Sequence, residues 1–196
     1  MRWLLVPALA GLLAGCATHL PDDGQMPAGP AVTSLNAVPP QQFDLDGRLA
    51  VEAGRDSGQA SFHWRHGPDF DRLELYSPLG QTLGVLQRDA SGADLVDSHG
   101  DVHHGSNLAV LLDQWMGWPL PVDEMSSWMV GAAAPGHPYH WYPPTDGKSG
   151  RLEQSGWQVE YLRWHDGQGH PLPEKVALAA GQVKVRLLVR SWNPAP

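Results

Sequence analysis

From residue 42 onward, apolar residues recur at every second position in one short run after another, which limits the chain to folds built on half-buried antiparallel strands. Phe43, Leu45, Gly47, Leu49 and Val51 fall on one face of the first run, with Asp44, Asp46, Arg48 and Glu52 on the other. Gly54-Arg55-Asp56-Ser57-Gly58 supplies a turn, after which Ala60, Phe62 and Trp64 alternate with Ser61, His63 and Arg65. His66-Gly67-Pro68 ends that run, and a third through Leu73 and Leu75 completes an antiparallel meander. Further strands are expected at 83–86, 93–96, 151–153, 157–164 and 176–178. The last, over 183–189, alternates until Leu188 and reaches Trp192.

In the middle of the chain the period becomes helical. Ser106 can cap a helix carrying Leu108, Leu111, Leu112 and Trp115, stopped at Gly117. After Pro119-Leu120-Pro121, Asp123 can cap a second helix with Met125, Trp128 and Met129, stopped at Gly131. Residues 132–149, rich in proline and aromatics, read as a loop. The sum is a mainly β (α+β) domain of roughly eight to eleven strands: a strongly curved antiparallel sheet forming an incomplete barrel, with short lid helices on its concave side. If the helices do not fill the concavity, an apolar cavity remains, and Met and Trp suit one that accepts acyl chains. A fully packed core fits the same pattern.

The N-terminus points to export. Arg2 precedes a short apolar run to Leu13, too short to span a bilayer and arranged like a secretory signal. Leu13-Ala14-Gly15-Cys16 resembles the bacterial lipobox, in which cleavage leaves the cysteine as a lipid-modified N-terminus. Cys16, the one cysteine of the chain, has no disulfide partner and would serve as the lipid anchor. Residues 1–15 are then the signal peptide, 16–41 the anchor and a Pro- and Gly-rich flexible tether, and 42–196 the folded domain. Ala17, where retention at the inner membrane typically takes Asp, favours the outer membrane. The net charge of −8 becomes one unit more negative when Arg2 is removed, which argues against nucleic acid as a partner.

No catalytic constellation emerges. The ten histidines group as His63 with His66, His103 with His104 and His137 with His140, but none lies in a helical HExxH and no cysteine accompanies them. There is no GxSxG elbow and no phosphate-cradling glycine loop. Neither enzymatic activity nor a cofactor is expected. Leu79, in Ser77-Pro78-Leu79-Gly80, sits at the tip of a tight connection. The residues alone leave open whether it projects or folds back onto the core.

The order of these features resembles the LolB family of outer-membrane lipoprotein receptors. The features are Phe43 with Gly47-Arg48-Leu49, Phe62 and Trp64, Leu75 with Ser77-Pro78-Leu79-Gly80, Trp118-Pro119-Leu120-Pro121, and Trp128 with Gly131. Gln154-Ser155-Gly156-Trp157, Tyr161, Leu172-Pro173 and the stretch from Leu187 to Trp192 continue it. The resemblance implies a monomer that accepts acylated lipoprotein cargo from the periplasmic carrier LolA and inserts it into outer-membrane lipid. It implies that Leu79 is the residue entering the membrane. Phe62, Trp64, Trp115, Met125, Trp128, Met129 and Trp157 are the candidates for the cavity wall. Two other classes compete: a lipid-anchored periplasmic binding module for a small apolar ligand, and a zinc-dependent cell-envelope hydrolase using the histidines.

Overall fold

The computed structural model describes residues 32–117, 120–145, 148–167 and 170–193. The expected leader, Cys16, the tether up to residue 31 and the pair Trp118 and Pro119 lie outside these. Each alternating run becomes a strand, in the order β1 (Phe43–Ala53), β2 (Asp56–Gly67), β3 (Phe70–Tyr76), β4 (Thr82–Asp89), β5 (Gly92–Asp97) and β6 (Val102–Gly105). Two helices follow, α1 (Leu108–Met116) and α2 (Val122–Met129). Then come β7 (Tyr139–Tyr142), β8 (Gly150–Gln154), β9 (Trp157–Gly167), β10 (His170–Ala180) and β11 (Val183–Asn193).

All eleven strands form one antiparallel sheet in the order β6-β5-β4-β3-β2-β1-β11-β10-β9-β8-β7. The first long strand therefore pairs with the last, Leu49 opposite Leu187 and Val51 opposite Val185, and joins the two meanders at the centre. β6 and β7 remain as edges, so the barrel is incomplete. Across β1 to β3 the buried positions alternate as the sequence does, because one face turns to the core and the other to water. Trp192 stays on the core face although its parity with Val189 is wrong. A register shift against Asp46 and Gly47 leaves Arg190 as the extra residue, so Trp192 pairs with the fully buried Leu45.

Within the domain read as 42–196, the secondary structure departs from the sequence reading in four places. The α1 cap is Asn107, whose side chain accepts from the Val110 amide at 2.9 Å, not Ser106 one residue earlier. α2 begins at Val122 behind Pro121 with no side-chain cap, which places Asp123 in the first turn, where a carboxylate is favourable to the helix dipole. β6 and β7 have no strand signal in the sequence: both are four residues long, lie on edges and are almost wholly exposed, so neither carries an apolar alternation. β10 runs through Pro171 and Pro173, with register shifts against β9 at Pro173 and Lys175, where the missing proline donor would otherwise break the ladder.

The helices cross the concave side, α1 against β4, β5 and β6 and α2 against α1 and β10. What fixes α2 to the sheet is Gln154, a buried amide at the end of β8. Its Oε1 accepts from Trp128 Nε1 at 2.9 Å and from the Ala134 amide at 2.8 Å. Its Nε2 donates to the carbonyls of Ala134 at 2.8 Å and His137 at 3.0 Å. Both lone pairs and both hydrogens are used, as a buried amide requires. The Tyr161 hydroxyl adds a bond to the Trp128 carbonyl at 3.1 Å. Gln154→Met keeps the volume but strands several buried partners, at about 1–3 kcal/mol each. It is expected to lower the urea midpoint by an amount equivalent to more than about 2 kcal/mol, whereas replacing the exposed Ser57 of β2 by Ala stays within about 0.5 kcal/mol.

Candidate functional site

Between the lid helices and the wall of β1, β2, β3 and β11 lies a void with a wholly apolar lining. Four of the residues expected at a cavity wall are there, Phe62 and Trp64 from β2 and Met125 and Met129 from α2. The aliphatic part of the lining was not singled out from the sequence: Leu49, Leu73, Leu75, Leu112, Val185 and Leu187. Its signal was the alternation itself, since pairing puts Leu75 beside Phe62, Leu73 beside Trp64 and Leu187 beside Leu49.

Trp115, Trp128 and Trp157 do not line this void. The Trp115 ring crosses Gly84 of β4, so close that a Cβ there would lie 2.8 Å from it, and only glycine leaves room for that crossing. Trp128 is turned toward Gln154, its ring 6.5 Å from that of Trp157, and the two support the far end of α2. Helical and strand periods located these rings on the correct side of their elements but could not say which part of the concave side each would reach.

The void measures about 50 Å³. Liquid water occupies about 30 Å³ per molecule and sites for drug-sized ligands run to roughly 300–1,000 Å³, so the concavity as it stands is closed. Anything the size of an acyl chain requires the helices to move away from the sheet. No helix among the described residues is long and apolar enough to cross a membrane.

Leu79 is at the tip of the β3–β4 connection and is 88% exposed. Ser77 builds the turn: its amide donates to the Gln81 carbonyl at 2.8 Å, its carbonyl accepts from the Gly80 amide at 2.9 Å, and its Oγ accepts from the Gln81 amide. Gly80 sits at φ +81°, where a side chain is strained, and Pro78 fixes the approach. The hairpin therefore holds a leucine out in water.

At the opposite rim, where β1 begins, a buried carboxylate organises the wall. Asp71 of β3 accepts from Trp64 Nε1 at 3.0 Å, lies 2.7 Å from His66 Nδ1, and receives the Arg88 guanidinium, Nε at 2.8 Å. Burial alone would raise the Asp71 carboxyl, but the bonds from His66, Arg88 and Trp64 outweigh it and hold the group below the ordinary carboxylate value. Asp123, in the first turn of α2, faces the same group, and burial pushes its carboxyl up. Other histidines lie beside other carboxylates: His63 is 2.9 Å from Asp46, His104 is 2.6 Å from Asp94, and His103 is 3.3 Å from Asp97, which His99 also approaches. Among the described residues, no group of three or more His, Cys, Asp or Glu side chains is set to hold a metal ion.

A carboxyl held lower in the folded than in the unfolded chain stabilises the fold above its unfolded pKa, and that contribution disappears as pH falls through the folded one. Asp71 should thus hold its full contribution at neutral pH and lose it as pH drops below the ordinary Asp value of about 3.9. In urea titrations from pH 7 to pH 3, Asp71→Asn is expected to be less stable than wild type at pH 7 and to show a shallower loss on acidification. Parallel curves would contradict this.

With this geometry in hand, comparison with known proteins is direct. The family model described as Outer membrane lipoprotein LolB matches residues 41–192. The outer-membrane lipoprotein LolB of Alkalilimnicola ehrlichii is 33% identical over 98% of this chain and 98% of its own, and that of Pseudomonas paraeruginosa is 29% identical over 99% and 97%. A solved LolA superfamily protein from Nitrosomonas europaea aligns with TM-score 0.46 and 11% identity, covering 80% of this chain and 89% of that one. The match extends over the sheet, both lid helices and the Leu79 hairpin alike: the chain belongs to the LolB family of outer-membrane lipoproteins.

Proposed function

We propose that this protein is a lipid-anchored acceptor and insertase, which receives acylated lipoproteins from the periplasmic carrier LolA and delivers them into the outer membrane. The observation that carries the reading is the pairing of an apolar void closed by short helices with a single leucine held out in water at the opposite rim from Asp71. Acyl chains exposed to water cost about 0.8 kcal/mol per CH₂, so cargo has to stay covered from carrier to bilayer. A lid that opens onto Phe62, Trp64, Met125 and Met129 provides that cover, and Leu79 provides the entry into lipid. The transfer makes and breaks no covalent bond, and a downhill order of affinities, from carrier to this protein to membrane, is sufficient to drive it.

Residues 1–15 act as the signal peptide and Cys16 as the acylated anchor. The tether enters near the rim away from Leu79, since Phe43 pairs with His66 while Leu79 follows the far end of β3. Both can still reach one membrane. The roughly 16 residues from Cys16 to Val32 can extend to about 55 Å, and β3 spans only about 23 Å. The protein works as a monomer, because one concavity and one hairpin complete the task.

Leu79→Glu separates receipt from insertion. Losing the burial of a leucine forfeits about 2 kcal/mol, and a carboxylate adds desolvation. The variant is expected to take cargo from loaded carrier normally but to insert it into liposomes on the order of 10–100-fold more slowly. Equal insertion would remove Leu79 from the mechanism. Wild type that accepts no cargo from the carrier would contradict the transfer reading itself and favour a module for small apolar ligands.

A further inference from the structure

The end of the segment read as flexible tether is docked on the body. Val32 is buried in the core, and Trp141 Nε1 donates to the Thr33 carbonyl at 3.1 Å. Asn36 then makes three bonds where α2 ends. Its amide donates to the Gly131 carbonyl at 2.8 Å, and its Nδ2 donates to the Val130 carbonyl at 2.6 Å and to the Pro171 carbonyl on β10 at 3.2 Å. One residue thus joins the tether, the C-terminal end of the lid helix and the sheet. The Val130 and Gly131 carbonyls lie at the helix end, where acceptors lack intrahelical partners.

The two ends of α2 are held in different ways. At the C-terminal end, polar bonds dominate: Asn36, Gln154 to Trp128, and Tyr161 to the Trp128 carbonyl. At the N-terminal end, Pro121 gives no side-chain cap, Val122 and Met125 line the apolar void, and Asp123 faces the Asp71, His66 and Arg88 group. Between the docked segment and the outer face of α2 is a groove of about 830 Å³, lined by Pro39, Asp123, Ser126 and Ser127 among others. The segment therefore grips the helix at its end, while along the outer face of α2 the groove leaves space between the two.

We infer that Asn36 is a positioning residue that pins the C-terminal end of α2, so that the lid opens from its N-terminal end and swings about residues 129–132. Directional bonds fix a position, whereas apolar contacts let a helix slide and separate at low cost in specificity. Because Asn36 lies on the chain that leads to the membrane anchor, the hinge is fixed relative to the tether as well as to the sheet. Its consequence for cargo rests on the transfer reading, but the hinge itself does not.

Hydrogen exchange on the full chain tests it, comparing wild type with Asn36→Ala and Asn36→Asp. Asp fills the same space but cannot donate, which separates hydrogen bonding from packing. Both variants are expected to exchange the amides of Gly131 and Ala132 about 10-fold faster, with those in β1 and β11 unchanged. Uptake and release of a fluorescent long-chain fatty acid are expected to accelerate together in the same two variants. Unchanged exchange at residues 129–132, an increase shared by the whole sheet, or a wild-type pattern in Asn36→Asp would each overturn the hinge. Wild type that takes up no fatty acid contradicts the transfer reading, and the exchange pattern then decides the hinge alone.

Discussion

An antiparallel sheet that curls without closing leaves an apolar concave face, and water has to be kept off it. In this chain that face runs from Leu95 on β5 through Phe62, Leu45 and Leu187 to Val159 on β9, all buried. Neither edge strand can cover it, since β6 and β7 are four residues long. The covering is left to α1 and α2, both too short to hold together as isolated helices and dependent on the surface they cover. The same burial that stabilises the domain also defines the proposed site: the apolar surface hidden by the helices is the surface that, in the transfer reading, an acyl chain would take instead.

That exchange explains how polar groups are distributed. Gln154, Tyr161 and Asn36 gather at one end of α2, and the Asp71 group lies on the wall near the other, bonded to Trp64 and not to the lid. A buried polar network is costly to break, because every partner released must find another. Placed at one end it makes a fixed point, and its absence along Val122, Met125 and Met129 leaves contacts that an acyl chain can replace like for like. Met is suited to this, being unbranched and able to repack around differently shaped partners. In the transfer reading proposed above, the void of about 50 Å³ is the closed state of such an arrangement.

Much of this was legible in the sequence, and for a physical reason. Alternation at Phe43, Leu45 and Val51, or at Val185 and Leu187, reports a sheet with one wet face, and the helical spacing of Leu108, Leu111 and Leu112 reports a helix lying on it. Period says which face a residue occupies but not how far along the face a large ring reaches, so Trp115 and Trp128 look equivalent to Phe62 until Gly84 and Gln154 are placed beside them. Short exposed edges such as Tyr139–Tyr142 have no buried partner face to impose a period. Docking of Asn36 was illegible for another reason: its partners are backbone carbonyls of Val130 and Pro171, and any residue supplies those. The exposure of Leu79 was undecided by its own sequence and followed from what Ser77 and Gly80 do to the turn.

The central claim is that the lid leaves the wall to admit an acyl chain. A distance measurement across the site tests it most directly, with spin labels at Ser126 on α2 and at the exposed Arg65 on β2, read by pulsed electron resonance with and without a long-chain fatty acid. The account predicts a single short distance in the empty protein and a second population several ångströms longer that grows with bound chain, since the closed void is far too small to hold one. Saturating fatty acid bound with an unchanged distance distribution would contradict it, because the chain would then occupy some place other than the space beneath α2.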